Sequence, residues 1–344
     1  MGEVSKIETK VQAKLSAEAS NSQLIAPGVV IKRGVFEHSR YNLMSIDLKC
    51  CKIEVHATRD KKDNFKMQTT KEVNLEYKNR GTKIIAVLNG AFYNKKGPNN
   101  KRGDNKPLGI LIYGGGKPWT PRAYKEVFDR DKKCTIMMPV YELNRCCLVI
   151  NRNGTAAIRQ SNERAEDLLK KDKNIVALMG GGGPLLVKEA GTKKFELEMS
   201  KALKAVGMDS WNHKKNEECP RTAIGITASG EVLICTFGQQ YGEEKDKIGI
   251  TSENLAKFMK DNGAVEAMVL DSGSSTALYI QEKGYAGVPN KTPMPTFLVI
   301  RDFSKEEKSA MSSTKTGSAG QKVLGGVCKG AVESARKKIF GKYK

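Results

Sequence analysis

No run of about 18 apolar residues occurs in the chain, so the sequence offers no candidate membrane-spanning helix. The first 23 residues are polar and charged, without the apolar centre of a signal peptide, and the expectation is a protein that is neither membrane-spanning nor exported by the usual route. The eight cysteines include two adjacent pairs, Cys50-Cys51 and Cys146-Cys147, but no C-x-x-C spacing. Adjacent cysteines rarely bridge each other, so these read as buried or idle thiols in a reducing compartment. No His/Cys/Asp cluster has metal-ligand spacing, and the expectation is no metal and no cofactor. The glycine run at 180–183 is followed by neither GK[ST] nor the rest of a dinucleotide fingerprint, which argues against nucleotide binding there.

Basic residues, in contrast, are abundant. The 344 residues carry 59 Lys and Arg against 38 Asp and Glu, a formal charge of +21. A solubilising surface on a small domain needs a net charge of only about 2–8. An excess of this size favours polyanions such as nucleic acid, anionic lipid or phosphorylated glycans. With 39% hydrophobic residues the chain can bury a core, as one large domain or two ordinary ones.

The chain divides into an extension (1–26), a folded region (27–303) and a tail (304–344). The extension has Ile7, Val11 and Leu15 at helical spacing but little else to bury. In the middle region, short β-branched runs alternate with turn signals. "GTKIIAVLNGAFYN", "LGILIYGGG", "RCCLVINRNGTAAI", "NIVALMGGGGPLLV", "TAIGITASGEVLICTFG", "AVEAMVLDS" and "TPMPTFLVI" read as strands. Asn153-Gly154 and Ser229-Gly230 read as hairpin turns; Asn153-Gly154-Thr155 and Asn290-Lys291-Thr292 are glycosylation sequons only on a secretory route. Helices are expected at about 161–172, about 194–206 and from Ser252 to Asp261, the last with Thr251 or Ser252 as N-cap and Asn262-Gly263 as its stop. The fold class is therefore mixed α/β of the α+β kind: one strand-rich domain with a central mixed sheet and a few flanking helices. The tail holds ten Lys and Arg against three Glu. Lys308, Lys315, Lys322, Lys329 and Arg336 recur every seventh residue, which on a helix makes one basic stripe. Its Gly-Ser-Ala content fits a flexible or binding-induced segment for nucleic acid or another polyanion, or a solvated tail with no partner.

Four motifs carry chemistry. In "EAMVLDSGSSTALYI" an apolar strand runs into Asp271-Ser272-Gly273-Ser274-Ser275-Thr276. Asp271 is placed there either to be aimed at a ligand by nearby N–H groups, with Gly273 permitting close approach, or to cap the following turn. In "PRTAIGIT", Arg221 and Thr222 open an apolar strand; the guanidinium is a fork for phosphate or carboxylate, or a salt-bridge partner of Asp271 itself. His213 upstream reads as acid, base or phosphate ligand, or as an exposed loop residue. In "AVLNGAFYN", Asn89 offers a donor and an acceptor to a sugar and Gly90 lets backbone approach, unless the pair is a plain turn. In "MGGGGPLL", Gly182 and Gly183 read as part of a substrate-shaping loop.

The march of these motifs, with "PLGILIYGGGKP" between the first and second in chain order, resembles the phosphodiester glycosidase family over about residues 80–300. The resemblance implies hydrolysis of a sugar-1-phosphodiester, a phosphorylated glycan or sugar phosphate as substrate, and a strand-rich fold. The family's Asn-Gly pair matches Asn89 and Gly90, its Arg-Thr matches Arg221 and Thr222, and its strand-end Asp matches Asp271. Where the family usually has Asp-Gly-Gly, this chain has Ser272 at the first glycine. A serine there would be strained if the position needs φ > 0.

Cleavage at an anomeric carbon bearing phosphate releases an already stabilised anion, so charge neutralisation matters more than a strong general acid. Arg221, helped by His213 and lysines, suits that role. Asp271 would stabilise the oxocarbenium-like state, attack it, or activate water; Asn89, Ser274, Ser275 and Thr276 would hold the sugar. The competing expectation is a family member that is inactive and binds polyanions, in the cytoplasm or within a virion.

Overall fold

Runs that are apolar at every residue need cover on both faces, and the computed structural model supplies it by packing two sheets together and a helix outside each. It describes residues 22–303 and residue 307, apart from 63, 94, 96–104, 122–123, 130–133, 140–144, 162, 187–216, 239–248 and 287–290. In chain order the elements begin with β1 (Ser22–Ala26), β2 (Val29–Phe36), β3 (Ser39–Ile46), β4 (Lys52–His56), α1 (Thr70–Asn79) and β5 (Ile84–Asn89). There follow β6 (Leu111–Tyr113), β7 (Lys117–Trp119), β8 (Tyr124–Asp129), β9 (Cys134–Pro139), β10 (Arg145–Asn151), β11 (Ala156–Ser161), α2 (Ala165–Lys171) and β12 (Ile175–Leu186). The last group is β13 (Arg221–Thr227), β14 (Val232–Phe237), α3 (Ser252–Asp261), β15 (Ala264–Val269), β16 (Leu278–Ile280), β17 (Gly284–Tyr285) and β18 (Phe297–Arg301).

The larger sheet runs β1-β2-β3-β14-β13-β15-β12-β10-β11, with β6 and β7 attached to β12. The smaller runs β17-β16-β5-β18-β4, and β8-β9 is a separate hairpin. Strand alternation sorts the side chains. In β14, Val232 and Ile234 face the space between the sheets, whereas Leu233, Cys235 and Phe237 pack with Leu255, Phe258 and Met259 of α3. In β18, Leu298 and Ile300 face inward, while Phe297 and Val299 meet Val73 and Tyr77 of α1. The result is four layers, helix on sheet on sheet on helix.

The strand-rich α+β expectation holds. The single central mixed sheet does not: among the described residues there are two main sheets, and every pairing between named strands is antiparallel. Hairpins such as β13-β14 and β10-β11 turn the chain straight back, which gives antiparallel neighbours. Both expected hairpin turns form, with Gly154 at φ 76° and Gly230 at φ 83°. α3 spans the residues expected, with Thr251 as N-cap. The expected helix at about 161–172 is α2, shorter than its pattern. α1 was not anticipated, although Thr69-x-x-Glu72 forms a reciprocal capping box at its start. Residues 22–26, read as extension, are the edge strand β1. The expected helix at about 194–206, the N-terminal helical pattern and the basic stripe lie outside the described residues. Among the described residues no helix is long and apolar enough to cross a membrane.

Candidate active site at the end of β15

Three strand ends meet at one edge of the sandwich. Ala223 of β13 lies opposite Val269 of β15, so the start of one strand sits beside the end of the other. β5 comes from the smaller sheet and ends on Asn89, whose side chain is 0% exposed. Asn89 Oδ1 accepts hydrogen bonds from Thr222 Oγ1 at 2.7 Å and from the Ala277 amide at 3.0 Å. Its Nδ2 donates to the Asp271 carbonyl at 2.7 Å. The Asn89 amide thus clamps both sheets and the loop after β15, a role different from the expected sugar contact, because its oxygen and nitrogen are both engaged inside the protein.

The loop is pinned further by its own backbone. The Asp271 amide donates to the Gly90 carbonyl at 3.2 Å, and the Gly273 amide to the Pro220 carbonyl at 2.7 Å. Ser272 has φ −133° and ψ −174°, ordinary extended backbone, so the strain expected of a serine at this position does not arise. The left-handed residue is Gly273, at φ 65°. Ser272 N donates to Asp271 Oδ1 at 3.0 Å and Ser272 Oγ to the Leu270 carbonyl at 3.0 Å, and a turn of 3-10 helix then covers Gly273–Ser275. Asp271 is left half-buried at the rim, Ser274 is exposed, and Ser275 and Thr276 are buried.

Two residues that the motif reading passed over stand against this loop. Burial pushes the Tyr93 phenol above its ordinary pKa, the nearby Asp271 carboxylate adds to the shift, and a hydrogen bond with Ser275 opposes it. Lys95 Nζ donates to Ser274 Oγ at 3.3 Å and is itself exposed. The signal for Tyr93 was its polar tip directly after the apolar Ala91-Phe92 of "NGAFYN"; Lys95 lies just beyond that motif.

Arg221 is only 3% exposed. Its Nε donates to the Ile250 carbonyl at 2.6 Å and its Nη2 to the Glu217 carbonyl at 2.9 Å. Burial lowers its pKa, against the raising influence of Cys219 and Glu217. The guanidinium therefore ties the segment before β13 to the one before α3. Thr222 is fully buried in its bond to Asn89. Gly90 is closely approached by protein: a Cβ built there would lie 2.5 Å from Thr296 Oγ1, so no side chain fits.

Gly182 and Gly183, expected in a loop, lie within the continuous strand β12. Gly182 pairs with Cys146 and Gly183 with Val269, and a Cβ at Gly182 would meet Met268 Cε at 2.8 Å. Close strand packing accounts for glycine there, and the pairing with Val269 still brings this run to the Asp271 end of the sheet. His213 lies outside the described residues. Among the described residues no group of three or more His, Cys, Asp or Glu is arranged to hold a metal ion.

A model of the phosphodiester glycosidase family matches residues 82–301, which include Asn89, Arg221 and Asp271. No curated protein matches the sequence. Among solved structures, the chain is similar to the zebrafish N-acetylglucosamine-1-phosphodiester alpha-N-acetylglucosaminidase catalytic domain auto-inhibited by its pro-peptide. That likeness has 15% identity and a TM-score of 0.48, over 80% of this chain and 82% of that one. A Synechocystis protein matches at 12% identity and a TM-score of 0.46, over 80% of this chain and 62% of that chain. A Burkholderia pseudomallei protein described as exported matches at 13% identity and a TM-score of 0.47, over 78% of this chain and 75% of that chain. With the matched segment taking in β5, β13, β15 and the loop they converge on, the chain belongs to the phosphodiester glycosidase family.

Proposed function

We propose that the protein hydrolyses a sugar-1-phosphodiester at the loop that carries Asp271. The observation that supports this most is the half-buried Asp271 carboxylate on a backbone clamped by Asn89, in a chain of this family. Fixed backbone matters because electrostatic stabilisation works only when the charge is already in place. In this reading the Asp271 carboxylate faces the anomeric carbon and stabilises the positive charge that develops as the C–O bond to phosphate breaks. Departing phosphate carries its own negative charge, so cations assist it. Lys95, exposed beside Ser274, is the ligand for that phosphate, and the buried Arg221 contributes positive potential behind the loop. Ser274, exposed at the rim, holds a hydroxyl of the sugar, while the buried Ser275 and the Tyr93 phenol, which donates to the Pro293 carbonyl at 3.4 Å, support the loop from behind.

The test is a panel of sugar-1-phosphodiesters assayed for released sugar, with the intact chain and with Asp271→Asn. Release by the intact chain and none by the variant supports the reading. Wild-type turnover by Asp271→Asn would make that carboxylate structural.

The charge of +21 favours a second reading, in which the fold serves to bind a polyanion. Removing residues 308–344 separates the two: an enzyme keeps turnover, whereas a tail-dependent binder loses nucleic-acid affinity and the steep dependence of that affinity on salt.

A further inference from the structure

A cavity of about 820 Å³ opens between the two sheets at the end remote from Asp271. β18 fixes that position: Phe297 pairs with Asn89 at the Asp271 end, whereas Arg301, which lines the cavity, pairs with Ile84 at the other. Four residues at about 3.3 Å each separate the two ends by roughly 13 Å. Ligand sites for small molecules run from about 300 to 1,000 Å³ and are mostly apolar, with a few convergent polar groups. The walls here fit that description, with Ile53 and Val55 of β4, Ile150 of β10, Val176 and Ala177 of β12, and Phe303.

The charged groups of the lining fall into two sets. Arg301 donates Nε to Glu54 at 2.7 Å and Nη1 to Glu307 at 2.8 Å, and Lys52 Nζ meets Glu307 at 2.5 Å. Two bases and two acids make that set neutral. Lys49 and Arg152 form the second set, both exposed, with no acid of the lining left to match them. They share one corner of the mouth, because the hairpin carrying Arg152 brings Gly154 against Leu48: a Cβ there would lie 3.4 Å from the Leu48 carbonyl.

We propose that this cavity is a second ligand site, for a single-chain anionic amphiphile of the fatty-acid type. Its chain lies between the sheets and its carboxylate meets Lys49 and Arg152. An apolar slot with two exposed bases, Lys49 and Arg152, at its mouth complements such a molecule at both ends. The protein's own sequence beyond Glu307 is a poor occupant, since residues 308–344 carry nine Lys and Arg against one Glu, and the basic mouth repels them.

Titration calorimetry of the full chain with laurate, below its micelle concentration, tests this. One saturable site per chain is expected, weakened roughly tenfold by shortening the chain to decanoate, since each buried methylene contributes to transfer. A Lys49→Glu/Arg152→Glu double variant should lose tenfold or more, and Val176→Trp, which fills the slot, should abolish binding. Lys283→Glu, an exposed lysine elsewhere, and Asp271→Asn should bind as the parent does. Absence of saturable binding, equal affinity for dodecanol, or unchanged affinity in the double variant would overturn the proposal. Dodecyl phosphate bound tenfold more tightly than laurate would overturn the carboxylate assignment. The double variant changes exposed residues only, so the test stands even if Val176→Trp fails to fold.

Discussion

Asn89 Oδ1 accepts the Thr222 hydroxyl at 2.7 Å, and this bond joins the smaller sheet to the larger at the edge where Asp271 emerges. Neither side chain is exposed. Over most of their area the two sheets meet through apolar contact, which resists sliding poorly because it has no direction. A directed bond at this edge sets their register where the loop needs it.

Asn89→Ala leaves the Thr222 hydroxyl, the Ala277 amide and the Asp271 carbonyl without this partner. At about 1–3 kcal/mol for each buried group left unpaired, a loss on the order of 3 kcal/mol is expected in urea unfolding. Asn89→Asp keeps the acceptor but turns a second oxygen toward the Asp271 carbonyl, and it should be comparably destabilising.

Asp271→Asn retains an oxygen able to accept from the Ser272 amide, so the thermal midpoint should hold. Turnover of a sugar-1-phosphodiester should fall by roughly 10³-fold, the scale on which removing charge stabilisation acts.

Lys95→Ala should raise KM for a phosphodiester substrate and leave an uncharged aryl glycoside unaffected. Arg221→Ala should behave otherwise. It frees the carbonyls of Ile250 and Glu217 and leaves a buried gap, so lower stability and lower activity toward both substrates are expected together. Comparing kinetics on the two substrates with the melting temperature separates the two roles.

Ser272→Gly relieves no strain, because Ser272 is extended at φ −133°. It removes the bond from Ser272 Oγ to the Leu270 carbonyl and adds chain freedom, for an expected loss of about 1 kcal/mol with turnover retained. Gly273→Ala places a Cβ at φ 65° and should cost about 1–2 kcal/mol while disturbing the loop. Urea midpoints and turnover of the pair check both.

Burial holds the His56 imidazole below its ordinary pKa of 6.5, against Glu76, which pulls it up. A histidine kept neutral in the fold binds fewer protons than the unfolded chain below about pH 6.5, so its contribution to stability is present above that pH and is lost as the pH falls. Urea midpoints should therefore drop between pH 7 and pH 5, and His56→Gln should flatten that drop.

Much of the fold was legible because its causes are local. Thr251 and Asn262-Gly263 bracket α3, and Asn153-Gly154 makes its turn, through short-range hydrogen bonds and φ preferences that neighbouring residues dictate. α1 went unanticipated although its Thr69-Glu72 box is an equally local signal. The glycine run of β12 was not legible, because its reason is non-local: Met268 and the Gly109 backbone press on it from distant parts of the chain. Asn89 and Arg221 were found as special residues, but their partners, up to 188 residues away for the Ala277 amide, appear only once the strands are assembled.

By itself the sequence determined the family pattern, the strand-rich class and the position of Asp271 at a strand end, since hydrophobic runs and turn residues act over a few positions. Tertiary structure decided that the strands form two antiparallel sheets, that Asn89 is a clamp, that Arg221 is buried on backbone carbonyls, and that Ser272 is unstrained. Those outcomes depend on which surfaces meet and on which hydrogen-bonding groups are shut away from water, and both follow from packing between segments far apart in the chain.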